Sequence, residues 1–186
     1  MSALDDVLPT YRFRERHQKT IAAKPDAVWT ALLAITPQEL PLSRLLMGIR
    51  SAPAWLAGRR GGFGASSRPL IDLFIAGGFR KLRDDPPRVF IAGAAMQPWR
   101  LVQGEMADVG DLAGFRAFSR PGFVLAAISF ELEPTELGTR LDTETRIQPT
   151  DSGAGRAFLP YWMAIRAGSG LIRRETLRAV ARPAMT

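Results

Sequence analysis

The chain contains a single histidine, His17. Alternation over residues 12–22 places it on one strand face with Phe13, Glu15, Lys19 and Ile21, and leaves Arg14, Arg16, Gln18, Thr20 and Ala22 on the other. A histidine two residues from a glutamate on one face has the parts of a proton-transfer pair. Imidazole titrates near neutral pH, and a neighbouring carboxylate can orient it. The same pattern serves a hydrogen-bonded structural histidine near a sheet end, and a lone inward histidine is weak ground for catalysis. Asp142 and Glu144 form a second pair, spaced to share a strand face as acid and base. Arg140 and Arg146 flank them on that face, which favours a solvated charge ladder. The aromatic residues Trp29, Trp99, Tyr161 and Trp162, with Phe115, Phe118 and Phe130, could wall an apolar pocket or simply fill a core.

Composition removes several classes of function. There is no cysteine, so disulfides and thiolate metal sites are excluded. One histidine without a carboxylate-plus-histidine motif leaves zinc no ligand set, and no cofactor is expected. The glycines of "GRRGGFGASSRP" (Gly58 to Pro69) do not make a phosphate loop: no strand leads in and no Gly-Lys-Ser/Thr follows. They read as a surface loop. The formal charge is +7, almost all from arginine, since Lys19, Lys24 and Lys81 are the only lysines. The arginines are spread along the chain, with no basic helix or ribbon to read a groove, so no specific nucleic-acid partner is expected. The opening residues lack an apolar core of signal-peptide length, and no apolar run is long enough to span a bilayer. A cytoplasmic protein is the expectation, and association into a homodimer is compatible with the sequence.

The elements that must position these side chains follow from periodicity. After the first strand, Pro25 and Asp26 open a helix with Val28, Ala31, Leu32 and Ile35 on its buried stripe. "TPQE" (Thr36 to Glu39) is a capping box that starts a second helix, with Leu42, Leu45, Leu46 and Ile49 as its apolar face. Residues 70–76 fit a short helix or a buried strand. "GFRKLRDDPPRVFIAGAA" reads as a hairpin turning at "DDPP", and residues 99–105 are expected to extend the sheet. Asp111 caps a short helix. Strand "FVLAAISFELE" and strand "TRLDTETRI", joined by "PTEL", form the clearest hairpin, with Glu131 expected opposite Arg140. Asp151 or Ser152 caps a long final helix. Its stripe is Phe158, Trp162, Ile165, Ser169, Ile172, Thr176 and Ala179, with Arg166, Arg173, Arg174 and Arg178 largely off it.

Three stretches resemble the START/SRPBCC superfamily, in particular its polyketide cyclase/dehydrase-like bacterial proteins. They are "ERH…TIAAKPDAVWTAL" (Glu15 to Leu32), "F…SRPGF" with "ISFELEPTELGTRLDTETRI" (Phe118 to Ile147), and "RAFLPYWMAIRAGSGLIRRETLRAV" (Arg156 to Val180). The resemblance implies an α+β helix-grip fold: a curved antiparallel sheet wrapped around a long C-terminal helix, with two short helices after the first strand. It implies one domain over residues 1–186, with residues 1–10 as a flexible tail, and first and last strands paired antiparallel so that Arg14 and Arg16 meet Asp142 and Glu144. It also implies a cavity between sheet and helix, and the expected function is binding of a small, largely apolar ligand there, the partner being an apolar or amphipathic molecule. The expected lining is His17, Trp29, Trp99, Phe118, Phe130, Thr143, Thr145, Trp162 and Ile165. The superfamily mixes binders with enzymes, so an enzyme of cyclase, dehydratase or hydrolase type and an interaction module with a collapsed cavity stay open, and no catalytic residue is assigned.

Overall fold

A computed structural model describes residues 2–41, 67–100 and 104–184, apart from the side chains of 167, 169 and 183. Six antiparallel strands form one sheet: β1 (Phe13–Ile21), β2 (Arg80–Asp85), β3 (Val89–Met96), β4 (Met106–Ala107), β5 (Val124–Thr135) and β6 (Gly138–Pro149). Their order is β1-β6-β5-β3-β2, with β4 on β3. The helices are α1 (Pro25–Ala34), α2 (Leu70–Ala76), α3 (Leu112–Ala117) and α4 (Ser152–Ala184). The architecture is the expected one, a sheet with a long C-terminal helix against one face and short helices after β1. Residues 70–76 are helix. Among the described residues no helix is long and apolar enough to cross a membrane.

Sequence determines the faces strand by strand. On β5, Val124, Ala126, Phe130 and Leu132 turn toward α4 and α1, while Leu125 and Ala127 turn away. The inner side carries two apolar blocks. One gathers Trp29, Leu32, Phe90, Phe130, Leu141, Leu177 and Val180. The other gathers Phe13, Val124, Ile147, Phe158 and Trp162. Apolar burial of this extent is the main stabilising term of the fold. Asp111 caps α3 through Gly114 N at 2.9 Å, and Asp151 caps α4 through Ala154 N at 2.8 Å.

Several expectations are corrected. Residues 2–8 are no loose tail. Ser2 caps a 3-10 turn (Ala3–Asp5), and Leu4, Val7 and Leu8 are buried against Ile91, Leu125 and Ala127 on the outer face. That face is apolar, and without the N-terminal segment it would stand in water. The capping box at Thr36 forms, around a 3-10 turn (Pro37–Glu39); the helix expected beyond it at Leu42–Ile49 lies outside the described residues, as does most of the Gly58–Pro69 loop. Residues 98–99 form a turn, and the added strand is Met106–Ala107. The β5–β6 register differs by two residues from expectation. Glu131 faces Asp142, and Arg140 faces Glu133. The hairpin closes tightly at Glu136–Leu137, with Gly138 at φ 119° completing the turn. The repulsion between Glu131 and Asp142 is relieved because the Glu131 carboxylate accepts from Ser2 Oγ at 3.1 Å and Ala3 N at 3.0 Å, while Asp142 is held by Arg16.

Candidate functional site

β1 and β6 pair antiparallel, with His17 opposite Thr143, Glu15 opposite Thr145, and Arg16 opposite Glu144. Period-two alternation then sorts the polar residues of both strands into two groups on opposite faces of the same ladder.

On the outer face Arg14 Nε donates to Glu144 Oε1 at 2.8 Å, and Arg16 grips Asp142 with Nε at 2.9 Å and Nη2 at 2.5 Å. Arg146 donates to Glu144 Oε1 at 2.7 Å, to Asp5 Oδ1 at 2.6 Å and to the Leu8 carbonyl at 3.2 Å, and its guanidinium lies 4.5 Å from the Tyr11 ring centre. The expected pairing of Arg14 and Arg16 with Asp142 and Glu144 is present, but the ladder is solvated on its β1 side only, where Arg14 and Arg16 are exposed. Glu144 is 1% and Arg146 3% exposed, because the N-terminal segment covers them. Burial alone would raise the Glu144 carboxyl above its ordinary range; the hydrogen bonds from Arg14 and Arg146 outweigh it and hold the group below. Burial likewise works against the Arg146 cation, and Glu144 and Asp5 together lift it above its ordinary value.

On the inner face His17 Nε2 lies 3.0 Å from Glu15 Oε1. From α4, Arg173 reaches across to the sheet: Nη1 donates to Thr143 Oγ1 at 2.7 Å and Nη2 donates to Thr145 Oγ1. Its Nε stands 4.0 Å from Glu15 Oε2, an ion-pair distance without a hydrogen bond, and that N–H is a buried donor with no partner. Burial presses the Arg173 cation below its ordinary value, and Glu15 and Glu144 only partly offset this. A guanidinium stays charged regardless, so the inner face holds a permanent buried cation. This group sits between the two apolar blocks.

Where the inner group meets the sheet edge, a cleft of about 580 Å³ opens between β1 and α4, bordered by Arg14, Glu15, Arg16, His17, Met163, Arg166, Gly170, Leu171 and Arg174. A second cleft of about 490 Å³ lies between α1 and α4. Gly170 shapes the first. A Cβ at that position would stand a tight 3.1 Å from Glu15 Oε1 and at ordinary contact, 3.7 Å, from the His17 ring, so glycine leaves room over the pair. Among the described residues no cluster of three or more histidines, cysteines and acids could hold a metal.

The expected lining residues divide. His17, Thr143 and Thr145 come together with Arg173. Trp162, Trp99 and Ile165 belong to the apolar block beside them, with the Trp162 ring 5.7 Å from Phe13 and Trp99 6.1 Å from Phe158. Trp29 and Phe130 sit in the other block. Phe118 is on the wrong side: its ring packs edge-on to Phe123 at 5.4 Å among the outer-face residues, because α3 crosses that face. Arg173, Gly170, Arg166 and Arg174 were not anticipated. Arg173 adjoins Ile172 on the inward stripe and lies three residues before Thr176, close enough for a long side chain to swing in. The four-residue spacing of Arg166, Gly170 and Arg174 was legible as one helix stripe.

No protein-family profile and no curated protein matches the chain. Solved structures show distant likenesses. Protein MLL2253 of Mesorhizobium loti is 16% identical with a TM-score of 0.41, covering 91% of this chain and 98% of its own. Protein NE0264 of Nitrosomonas europaea is 15% identical with a TM-score of 0.41, covering 93% and 97%. CalU16 of Micromonospora echinospora is 16% identical with a TM-score of 0.28, covering 92% and 81%. At such distances the site is read from its own residues.

Proposed function

We propose that this chain binds a small amphipathic molecule in the cleft between β1 and α4, as a member of the START/SRPBCC superfamily that its sequence motifs resemble. The observation that carries the reading is the polar group of Glu15, His17, Thr143, Thr145 and Arg173 set between two apolar blocks, with Glu15 and His17 bordering the cleft. Burying a cation and an unpartnered N–H costs stability, and a fold that needed only a core would fill the position with an apolar side chain. The cleft volume lies within the range of small-molecule sites. Its arginine-rich border shifts the reading from a largely apolar ligand toward an amphipathic one.

The test is a mass spectrum of small molecules extracted from the purified folded protein, followed by melting in their presence. A ligand at a hundredfold excess over its dissociation constant should stabilise the fold by about 2.7 kcal/mol. Gly170→Leu, which fills the cleft, should abolish that gain. A gain that survives Gly170→Leu places the ligand elsewhere, and the absence of any stabilising amphiphile refutes the reading.

A second reading is favoured by the 3.0 Å contact between His17 and Glu15. A carboxylate-oriented imidazole at a cleft can move a proton on a bound molecule. Turnover of the extracted molecule that His17→Gln abolishes while binding persists would support acid–base chemistry. Chemical inertness of that molecule on the wild-type protein would leave binding as the whole function.

A further inference from the structure

Arg166, Gly170 and Arg174 follow one another at intervals of four on α4 and all border the β1–α4 cleft. Residues so spaced share a helix stripe, with about 6 Å of rise between neighbours. The two arginines therefore bracket the gap that Gly170 leaves, and the floor of that gap is Glu15 and His17. Arg166 and Arg174 are exposed, and among the described residues neither forms an ion pair. Their situation differs from that of Arg14 and Arg16 at the same cleft, whose charges are engaged by Glu144 and Asp142. Among the described residues that border the cleft Glu15 is the one acid, and it is already turned to His17 and Arg173. The border thus carries uncompensated positive charge. Two large apolar side chains stand beside it in water, Met163 at 66% and Leu171 at 46% exposure. A single exposed apolar residue is ordinary; two at the rim of one cationic cleft make an amphipathic surface.

We propose that this cleft takes a monomeric carboxylic acid with an apolar chain, its carboxylate held between Arg166 and Arg174 over Gly170 and its chain laid against Met163 and Leu171. The inference rests on the binding reading above and adds the chemical class. Arginine suits the task because its planar fork can pair with both carboxylate oxygens. Charge complementarity decides against a neutral or cationic head, because neither would offset the positive charge that Arg166 and Arg174 bring to the border.

The experiment compares decanoate, decanol and decylamine by calorimetry at moderate salt, below their aggregation limits, together with vesicles of anionic phosphatidylglycerol. The proteins are wild type, Arg166→Gln, Arg174→Gln, the double variant and Gly170→Leu, each verified as folded by circular dichroism. Decanoate should bind wild type more tightly than decanol, and decylamine should bind least. Each single arginine substitution should weaken decanoate by about threefold to fivefold, as expected of exposed charges, and the double variant by about tenfold or more. Decanol should be nearly unaffected by the arginine substitutions, and Gly170→Leu should block both. If decanol binds as well as decanoate, or the double variant keeps full decanoate affinity, the acid class is wrong while the binding reading stands. If no amphiphile binds, both fail. Binding to anionic vesicles without binding of monomeric decanoate would make the stripe a membrane-surface contact and overturn the proposal.

Discussion

Two arginines on opposite faces of one sheet, Arg146 and Arg173, are nearly as deeply buried as each other, with side chains 3% and 12% exposed. Their circumstances are otherwise unlike. Arg146 has a carboxylate on Nε, another on Nη2, a carbonyl on Nη1 and a tyrosine ring beside it. Its cation is stabilised above the ordinary value despite burial. Arg173 has two threonine hydroxyls, a glutamate at the limit of ion-pair distance, and an Nε–H with no acceptor. Its cation is held below the ordinary value. A buried charge with an acceptor on every nitrogen belongs to the architecture. A buried charge left short, beside a cleft, is where a fold sets stability aside for something else.

The largest effect should come from breaking the satisfied side. Glu144→Ala removes the carboxylate shared by Arg14 and Arg146 and leaves a guanidinium buried with half its compensation. A loss of about 3–5 kcal/mol in denaturant unfolding is expected. A loss below about 1 kcal/mol would mean that the outer ladder is not the structural member of the pair.

Acid should weaken the outer ladder next. Glu144 and Asp5 have folded values depressed below their ordinary 4.5 and 3.8, so the unfolded chain takes up protons first as pH falls. For a depressed acid, the stabilisation is fully present above the unfolded value and is lost as pH falls through the folded one. Stability should therefore decline below about pH 4.5, and the decline should be shallower in Glu144→Gln than in wild type. Equal slopes in the two proteins would remove Glu144 from the acid response.

Arg173→Met should behave in the opposite sense from Glu144→Ala. It removes a desolvated cation and its orphan donor and supplies a flexible apolar chain that reaches about as far as Nε. Unfolding free energy should stay within about 1 kcal/mol of wild type or rise. A loss as large as that of Glu144→Ala would make Arg173 a structural member like Arg146 and erase the contrast.

Gly170→Ala should have the smallest effect. Alanine gains about 1 kcal/mol of helix propensity over glycine, and the new Cβ meets Glu15 Oε1 at 3.1 Å, a contact the carboxylate can relieve by a few tenths of an ångström. The two should nearly cancel in thermal unfolding. A destabilisation of several kcal/mol would show that Glu15 is fixed too firmly by His17 and Arg173 to move.

Much of this arrangement was in the sequence. Alternation in β1 set Phe13, Glu15, His17, Lys19 and Ile21 against Arg14 and Arg16, and the matching alternation in β6 set Thr143 and Thr145 against Asp142 and Glu144. A side-chain period of two permits only those two faces. Charge complementarity across the strands then selected which faces meet, as the observed Arg14–Glu144 and Arg16–Asp142 pairs bear out. Three things depended on contacts distant in sequence. The β5–β6 register pairs Arg140 with Glu133 and can leave Glu131 opposite Asp142 because Ser2 and Ala3, 129 and 128 residues away, supply the donors for Glu131. The β6 side of the ladder became buried because Leu4, Val7 and Leu8 cover the apolar outer face beside it. Arg173 joined the inner group because α4 lies close over β1 at Gly170, where a long side chain at the flank of the stripe finds Thr143 and Thr145 before it finds water. Periodicity fixes which way a side chain points from its own backbone; what it meets there is decided by how the elements stack.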